Sequence, residues 1–287
     1  MKVLYDHQIF MLQRFGGISR YFYELMRHSA QLFDYLVSGA FALSHNEYID
    51  ALQLPREFPL NMQLTDAQKL ILNYADALIK TKECDVIHPT YYDPYILRNK
   101  NKPLVITVHD MIHELFPEYF TEDKTTVPQK KQMIHAADHI IAISQNTKSD
   151  ILKLYPEISE NKISVVYHGA PTNTIDNKEK PCGNYILFTG QRWIYKNFYN
   201  FISAVAPLLI KYDLRLICTG TAFNQNEQEL LKNLDIHDRT TCLFADDKTL
   251  TELYSAATAF VFPSIYEGFG LPILEAFSAG GGGGAQS

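Results

Sequence analysis

Cysteine is scarce in this chain of 287 residues. There are four (Cys84, Cys182, Cys218 and Cys242), scattered and without a C-x-x-C pair. That spacing excludes a disulfide framework and a cysteine-rich zinc site, and it suits a reducing compartment. Long hydrophobic runs are missing as well. The longest, such as FISAVAPLLI at 201–210, fall well short of the ~20 residues that a membrane-spanning helix needs. The N-terminus, MKVLYDHQIF, has one early lysine and no extended apolar core, so it does not read as a signal peptide. Positive charge is in deficit: 26 Lys and Arg stand against 32 Asp and Glu, a net charge of −6. There is no overall electrostatic drive towards nucleic acid or an anionic bilayer, and no basic stripe with interleaved aromatics is visible. H-E-x-x-H, Walker A, G-x-S-x-G and G-x-G-x-x-G are absent, and the last absence counts against an ordinary NAD enzyme. These absences lead to the expectation of a cytoplasmic protein that does not bind nucleic acid. Peripheral contact at the inner face of the membrane stays open.

What is present is a globular α/β pattern. Hydrophobic residues make up 46% and charged residues 20%, ordinary values for a chain with a core. Short apolar runs at Val3–Tyr5, Val86–His88, Leu104–Val108, His139–Ile143 and Ile163–Tyr167 suit strands buried on both faces. So do Tyr185–Thr189, Leu214–Thr219, Thr241–Phe244 and Ala259–Phe262. Helical periods lie between them: Phe198, Phe201, Ile202, Val205, Leu208 and Leu209 follow the i, i+3, i+4, i+7 rule, as do Leu250, Leu253, Tyr254 and Ala257. Pro207 is expected to kink or end the first of these helices. The alternation predicts parallel sheets.

The polar, aperiodic stretch APTNTIDNKEKPCGN at 170–184 carries two prolines and reads as a linker. The expected organisation is a Rossmann-like domain at 1–170, a linker at 171–184, a second Rossmann-like domain at 185–280 and a flexible glycine-rich tail at 281–287. Ligands of such a pair are expected in the cleft between the domains.

Four stretches could carry chemistry. The first is Glu267-Gly268-Phe269-Gly270-Leu271-Pro272-Ile273-Leu274-Glu275. Its glycines let backbone approach a ligand, Pro272 suits a first helical turn, and a helix N-terminus favours phosphate. Were the stretch all helix, its two carboxylates would stand about 12 Å apart along the axis, against ~5–9.5 Å for a glycosidase pair. Gripping hydroxyls at two places on an extended ligand suits them better. The second stretch, Thr189 to Asn197 (TGQRWIYKN), follows a strand, and Arg192 and Lys196 could clamp a diphosphate. The third is Arg14 to Tyr21 (RFGGISRY), a glycine-rich turn before a helix at Ile18–Arg27. The fourth is Val108-His109-Asp110, where a His beside an Asp at a strand end could bond a sugar hydroxyl or exchange a proton.

The set Gly16-Gly17, His109-Asp110, Arg192 with Lys196-Asn197, and Glu267-x7-Glu275 resembles the retaining glycosyltransferases of family 4, which have the two-domain GT-B fold. The resemblance covers roughly residues 1–280 and includes ADHIIAISQNTKSD at 137–150 and ISVVYHG at 163–169. It implies transfer of a hexosyl group from a UDP- or GDP-linked sugar to a hydroxyl of a glycan or lipid-linked acceptor. Anomeric configuration would be kept, and neither metal nor cofactor used. By resemblance, the first domain is the acceptor side and the second the donor side. Arg192 and Lys196 would neutralise the leaving diphosphate, Glu267 would face the donor sugar and Glu275 the ribose. Amides of Gly268, Phe269, Gly270 and Leu271 would hold sugar and phosphate. Gly16 and Gly17 would bring backbone near the phosphate, and His109, with Asp110 beside it, would contact the sugar near the reacting carbon. The family continues beyond the Ala-Gly of AFSAG with further elements. The chain is therefore expected to be cut short, with an incomplete and less stable second domain. A nucleotide-sugar epimerase of the same fold and an inactive nucleotide-binding fragment are the alternative readings.

Overall fold

In the computed structural model the described residues are 1–14, 16–29, 32, 34–37, 44–48, 84–169, 184–192 and 194–280. The chain divides into two compact units, Met1–His168 and Gly169–Ser287. The expected linker, apart from Asn184, and the expected tail at 281–287 lie outside the described residues.

The first unit holds two parallel three-stranded sheets. One has the order β2 (Asp34–Val37), β1 (Lys2–Tyr5), β3 (Val86–His88), and the other β4 (Val105–Val108), β5 (His139–Ala142), β6 (Ile163–Val165). A parallel bridge between Ile87 and Leu104 joins β3 to the chain entering β4, which continues the order as 2-1-3-4-5-6. Both faces of β1 are covered. Val3 and Tyr5 pack with Phe10 of α1 (Gln8–Leu12) and Phe22 and Met26 of α2 (Gly17–Ser29). Leu4 joins the larger cluster that contains Met133 and Ile134 of α4 (Thr126–Ala136) and Ile151 of α5 (Gln145–Leu154). The short helix α3 (Ile112–Leu115) follows β4. Two elements here were not expected. The edge strand β2 is a run of only four residues. The helix α1 lies between β1 and the Gly16-Gly17 turn, so that turn does not directly follow a strand.

The second unit has one four-stranded parallel sheet of order β10 (Ala259–Phe260), β7 (Tyr185–Phe188), β8 (Arg215–Thr219), β9 (Thr240–Leu243). The run YILF of β7 is buried throughout, and its side chains alternate between two cores. Ile186 and Phe188 face Phe198, Ile202 and Leu209 of α6 (Phe198–Lys211) and Leu231 of α7 (Gln225–Asn233). Tyr185 and Leu187 face Tyr254 of α8 (Asp247–Ala256) and Ala276 of α9 (Leu271–Ser278). This two-sided burial is the physical signature of a doubly wound sheet.

Local chemistry sets the helix starts. Ser144, Asn224 and Asp246 cap α5, α7 and α8, and Asn224 forms a reciprocal capping box with Glu227. Of the two effects expected of Pro207, a kink or an end, the end does not occur: α6 runs through it to Lys211. Its ring and the Ser203 position one turn earlier are both exposed, so the lost hydrogen bond falls on the solvent side while Val205, Ala206 and Leu209 hold the helix to the core. The last strand stops at Phe260, two residues early, because Pro263 has no N–H with which to extend the ladder. Among the described residues, no helix is long and apolar enough to cross a membrane.

Candidate functional site

In the second unit the strand order reverses between β7 and β10, which makes the loops at their carboxyl ends the switch point of the sheet. The stretches 189–197 and 267–275 are those loops. A hydrogen bond from Ile265 N–H to the Tyr195 carbonyl (2.8 Å) ties them together. A 3-10 turn at Ile194–Lys196 then aims Lys196 across the gap, where its ammonium pairs with the Glu267 carboxylate. The ammonium also lies 5.2 Å from the ring centres of Tyr195 and Phe262. Two aromatic faces and one carboxylate hold the cation in a fixed place while part of it stays accessible.

Glu267 precedes the helix, so the all-helix spacing of the two glutamates does not arise; α9 starts at Leu271 with Pro272 in its first turn. Gly270 is the N-cap, with φ +88°, a backbone that L side chains rarely adopt, and a Cβ there would lie 3.4 Å from Ile273 Cδ1. Gly268 and Gly270 are both buried. Glu275 stands in the second turn of α9, where one carboxylate oxygen accepts a hydrogen bond from the hydroxyl of Tyr254 (3.2 Å).

Arg192 departs from its expected place. It does not project into the open loop; its side chain is only 3% exposed, as is that of Glu227. Its Nε and one terminal nitrogen donate to the two Glu227 carboxylate oxygens (2.8 and 3.2 Å), and the same terminal nitrogen donates to the carbonyls of Thr221 (2.7 Å) and Ala222 (3.0 Å). The other terminal nitrogen approaches Cys242 Sγ at 3.6 Å. The guanidinium is stacked over Phe223, 4.7 Å from its ring centre. The sequence offered no view of this pairing, because Glu227 is 35 positions away and reads as one charge among several on α7. Here Arg192 fastens the loop after β7 to the turn after β8.

In the first unit Gly16 and Gly17 open α2, but the Ser19 amide of its first turn donates to the Gln13 side chain (3.1 Å). A Cβ at Gly16 would meet Gln13 Oε1 at 2.5 Å, so the end of the Gln13 side chain would have to shift, whereas Gly17 has open space around it. His109, at the end of β4, is buried beside Tyr21, with ring centres 5.2 Å apart, and its Nε2 has no hydrogen-bond partner among the described residues. Burial, with smaller contributions from His168, His88 and Lys130, pushes its pKa down to about 3, so the imidazole is neutral. Asp110 points back into its own turn. It accepts from the Ile112 amide (3.1 Å) and lies 3.9 Å from Lys130 Nζ. Lys130, 1% exposed, also bonds the Asp110 carbonyl (3.0 Å) and Glu114 (2.9 Å), and so anchors the turn that carries His109. Sequence reading missed Lys130 because it sits in the polar run QKKQ, which resembles a solvated face. It also missed Tyr254, although a tyrosine at an apolar helix position needs a partner for its hydroxyl, and that need was a usable signal. Among the described residues, no cluster of His, Cys, Asp and Glu could hold a metal ion.

Residues 15–174 match the family model for Glycosyltransferase Family 4, and residues 172–281 match the model for group 1 glycosyl transferases. The chain belongs to glycosyltransferase family 4. Among curated relatives in sequence, it is 32% identical to the O-antigen chain mannosyltransferase RfbU of Salmonella typhimurium over 204 residues, 70% of this chain and 56% of the relative. It is 27% identical to O-antigen chain mannosyltransferase B of Escherichia coli, over 67% of this chain and 54% of the relative. The chain thus spans about half the length of the curated relatives it matches. In structure it resembles WaaG, a glycosyltransferase involved in lipopolysaccharide biosynthesis, with a TM-score of 0.66 at 15% identity over 99% of this chain and 80% of that one. The family's fold is GT-B, and the parallel sheets described above are of that kind.

Proposed function

We propose that the chain transfers a hexosyl group from a nucleoside diphosphate sugar to a glycan or lipid-linked acceptor, with retention of configuration. A mannosyl donor and an O-antigen type of acceptor are the first choices, because the relatives above are O-antigen mannosyltransferases. The observation that carries the reading is the meeting of Lys196, Glu267 and the N-terminus of α9 at the switch point of the second sheet.

Negative charge grows on the diphosphate as the bond from the sugar's anomeric carbon to the phosphate oxygen breaks. Fixed positive groups already in place stabilise that charge most. Lys196 supplies a full charge, and the N-terminus of α9, where Pro272 has no N–H and the Ile273 amide is bonded to the Gly270 carbonyl, supplies a partial one worth ~0.3–1 kcal/mol in exposed sites. A diphosphate that takes Lys196 leaves Glu267 free to bond hydroxyls of the donor sugar, and Glu275 takes the ribose. By the family resemblance His109 contacts a hydroxyl of the donor sugar; with its pKa near 3 it is a poor base, and the acceptor's proton goes to the departing diphosphate oxygen. Asp110 and Lys130 orient His109, and Arg192 orients the phosphate loop.

The test is turnover of UDP- and GDP-hexoses with glycan and lipid-linked acceptors, followed by acceptor mass and by anomeric proton couplings. An acceptor gaining one hexose with unchanged configuration is expected. Glu275→Gln should weaken nucleotide binding more than Glu267→Gln, which should mainly slow transfer; the reverse ranking would overturn the two assignments. Release of nucleotide without any sugared acceptor would replace the transferase reading with an epimerase or hydrolase.

A further inference from the structure

Tyr254 is buried to 1% exposure in the core that lies between α8, α9 and the sheet. Its hydroxyl bonds groups from different elements, among them Thr189 Oγ1 at the end of β7 (3.1 Å) and Glu275 Oε2 on α9 (3.2 Å). The direction of these bonds follows from counting hydrogens. An ionised carboxylate can only accept, so the single Tyr254 hydrogen goes to Glu275, and the tyrosine oxygen must accept from the Thr189 hydroxyl. The result is a one-way chain, Thr189 to Tyr254 to Glu275, in which each bond polarises the next and the last is charge-assisted. It starts at the residue before Gly190, where the 189–197 loop leaves the sheet.

The tyrosine ring itself has little freedom. Phe260 meets it edge to face, with centres 5.0 Å apart, and α8 is capped at its start by Asp246. A long glutamate side chain on a helix surface otherwise samples several rotamers. Holding one of its oxygens on a rigid phenol narrows the orientations open to the carboxylate.

We infer that Tyr254 is the positioning residue that sets the Glu275 carboxylate for the ribose hydroxyls of the nucleotide, with Thr189 as the donor behind it. The inference rests on the reading of Glu275 as the ribose ligand. It makes a claim that a purely structural tyrosine would not satisfy: its hydroxyl should matter for the sugar of the nucleotide and not for the rest of it.

The experiment is calorimetric titration of the full chain with UDP and GDP and with their 2′-deoxy and 3′-deoxy counterparts. The wild type is expected to prefer the ribonucleotide over at least one deoxy form by about tenfold, the worth of one hydrogen bond to a charged group. Tyr254→Phe should lose most of that preference while binding the deoxy form as the wild type does. Glu275→Gln should lose it too. Retention of the full preference by Tyr254→Phe, with its loss in Glu275→Gln, would overturn the positioning role and leave the ribose reading standing. An unchanged preference in Glu275→Gln, or failure of the wild type to bind either diphosphate, would overturn the ribose reading and this inference with it. Should Tyr254→Phe not fold, Thr189→Val decides: it removes the donor behind the tyrosine, and the preference should fall about threefold. An unchanged ratio in that variant would overturn the chain.

Discussion

Arg192 and Lys196 share one loop and one charge, yet their surroundings set them to different tasks. Lys196 meets a single carboxylate at a partly open edge, so its partner can be exchanged for a phosphate. Arg192 is bidentate to a buried Glu227 and bonded to two carbonyls besides, so freeing it would strand a charge in the core. Breaking a buried pair from one side typically costs ~3–5 kcal/mol. Arg192→Ala is therefore expected to lower the unfolding free energy of the second unit by a comparable amount, and with it the urea midpoint, and Lys196→Ala to leave both nearly unchanged while weakening diphosphate binding about tenfold or more. Circular dichroism in urea, beside titration with UDP and GDP, separates the two. A normal midpoint for Arg192→Ala would restore it as an exchangeable phosphate ligand.

Among the elements, α9 starts from a left-handed backbone angle. Its N-cap, Gly270, has no side chain with which to bond the first turn, and holds φ +88° so that the loop from Glu267 can enter the helix beside Phe262. An alanine there carries the ~1–2 kcal/mol cost of the left-handed region and presses Ile273 as well. Gly270→Ala should lower the thermal midpoint of the second unit and weaken nucleotide binding together, since the same turn carries Glu267 and starts the helix of Glu275. Differential scanning calorimetry with and without diphosphate would show it. Loss of stability with full binding would mean that the turn can deform without moving the carboxylates.

At the scale of the whole molecule, burial lowers the pKa of five imidazoles among the described residues of the first unit, His7, His88, His109, His113 and His168. Burial pushes His88 and His168 down to about 4 and His109 to about 3, with the neighbouring His168, His88 and Lys130 adding to the effect at His109. In the unfolded chain each would titrate near 6.5. Between those values the unfolded state binds more protons, so stability rises with pH there. The full contribution is present above about pH 6.5 and is lost as pH falls towards 4 and 3. At pH 5 the fully buried His88 and His109 should each cost about 2 kcal/mol relative to neutral pH. Urea unfolding of the full chain at pH 7 and pH 5, read on the first unit, should show a clear loss. Equal midpoints would mean that these rings become charged without opening the fold.

Composition and periodicity determined the class of this protein. Buried apolar runs such as YILF and the alternating helical stripes can satisfy their surfaces only as parallel sheets between helices, so the strands and the doubly wound plan were legible. The short edge strand Asp34–Val37 and the helix Gln8–Leu12 were not, because neither has a period long enough to stand out. The stretches Thr189–Asn197 and Glu267–Glu275 were also legible as loops with chemistry, from their residue types and their place after strands. Which side chains in them stay available was decided only by tertiary structure. A guanidinium and an ammonium four residues apart look alike in one dimension. The distant Glu227 buries one, while Glu267, delivered by the reversal of strand order, holds the other at the edge. Tyr254 makes the same point: a helical period marks it as core, and only the approach of Thr189 and Glu275 from two other elements gives its hydroxyl a task.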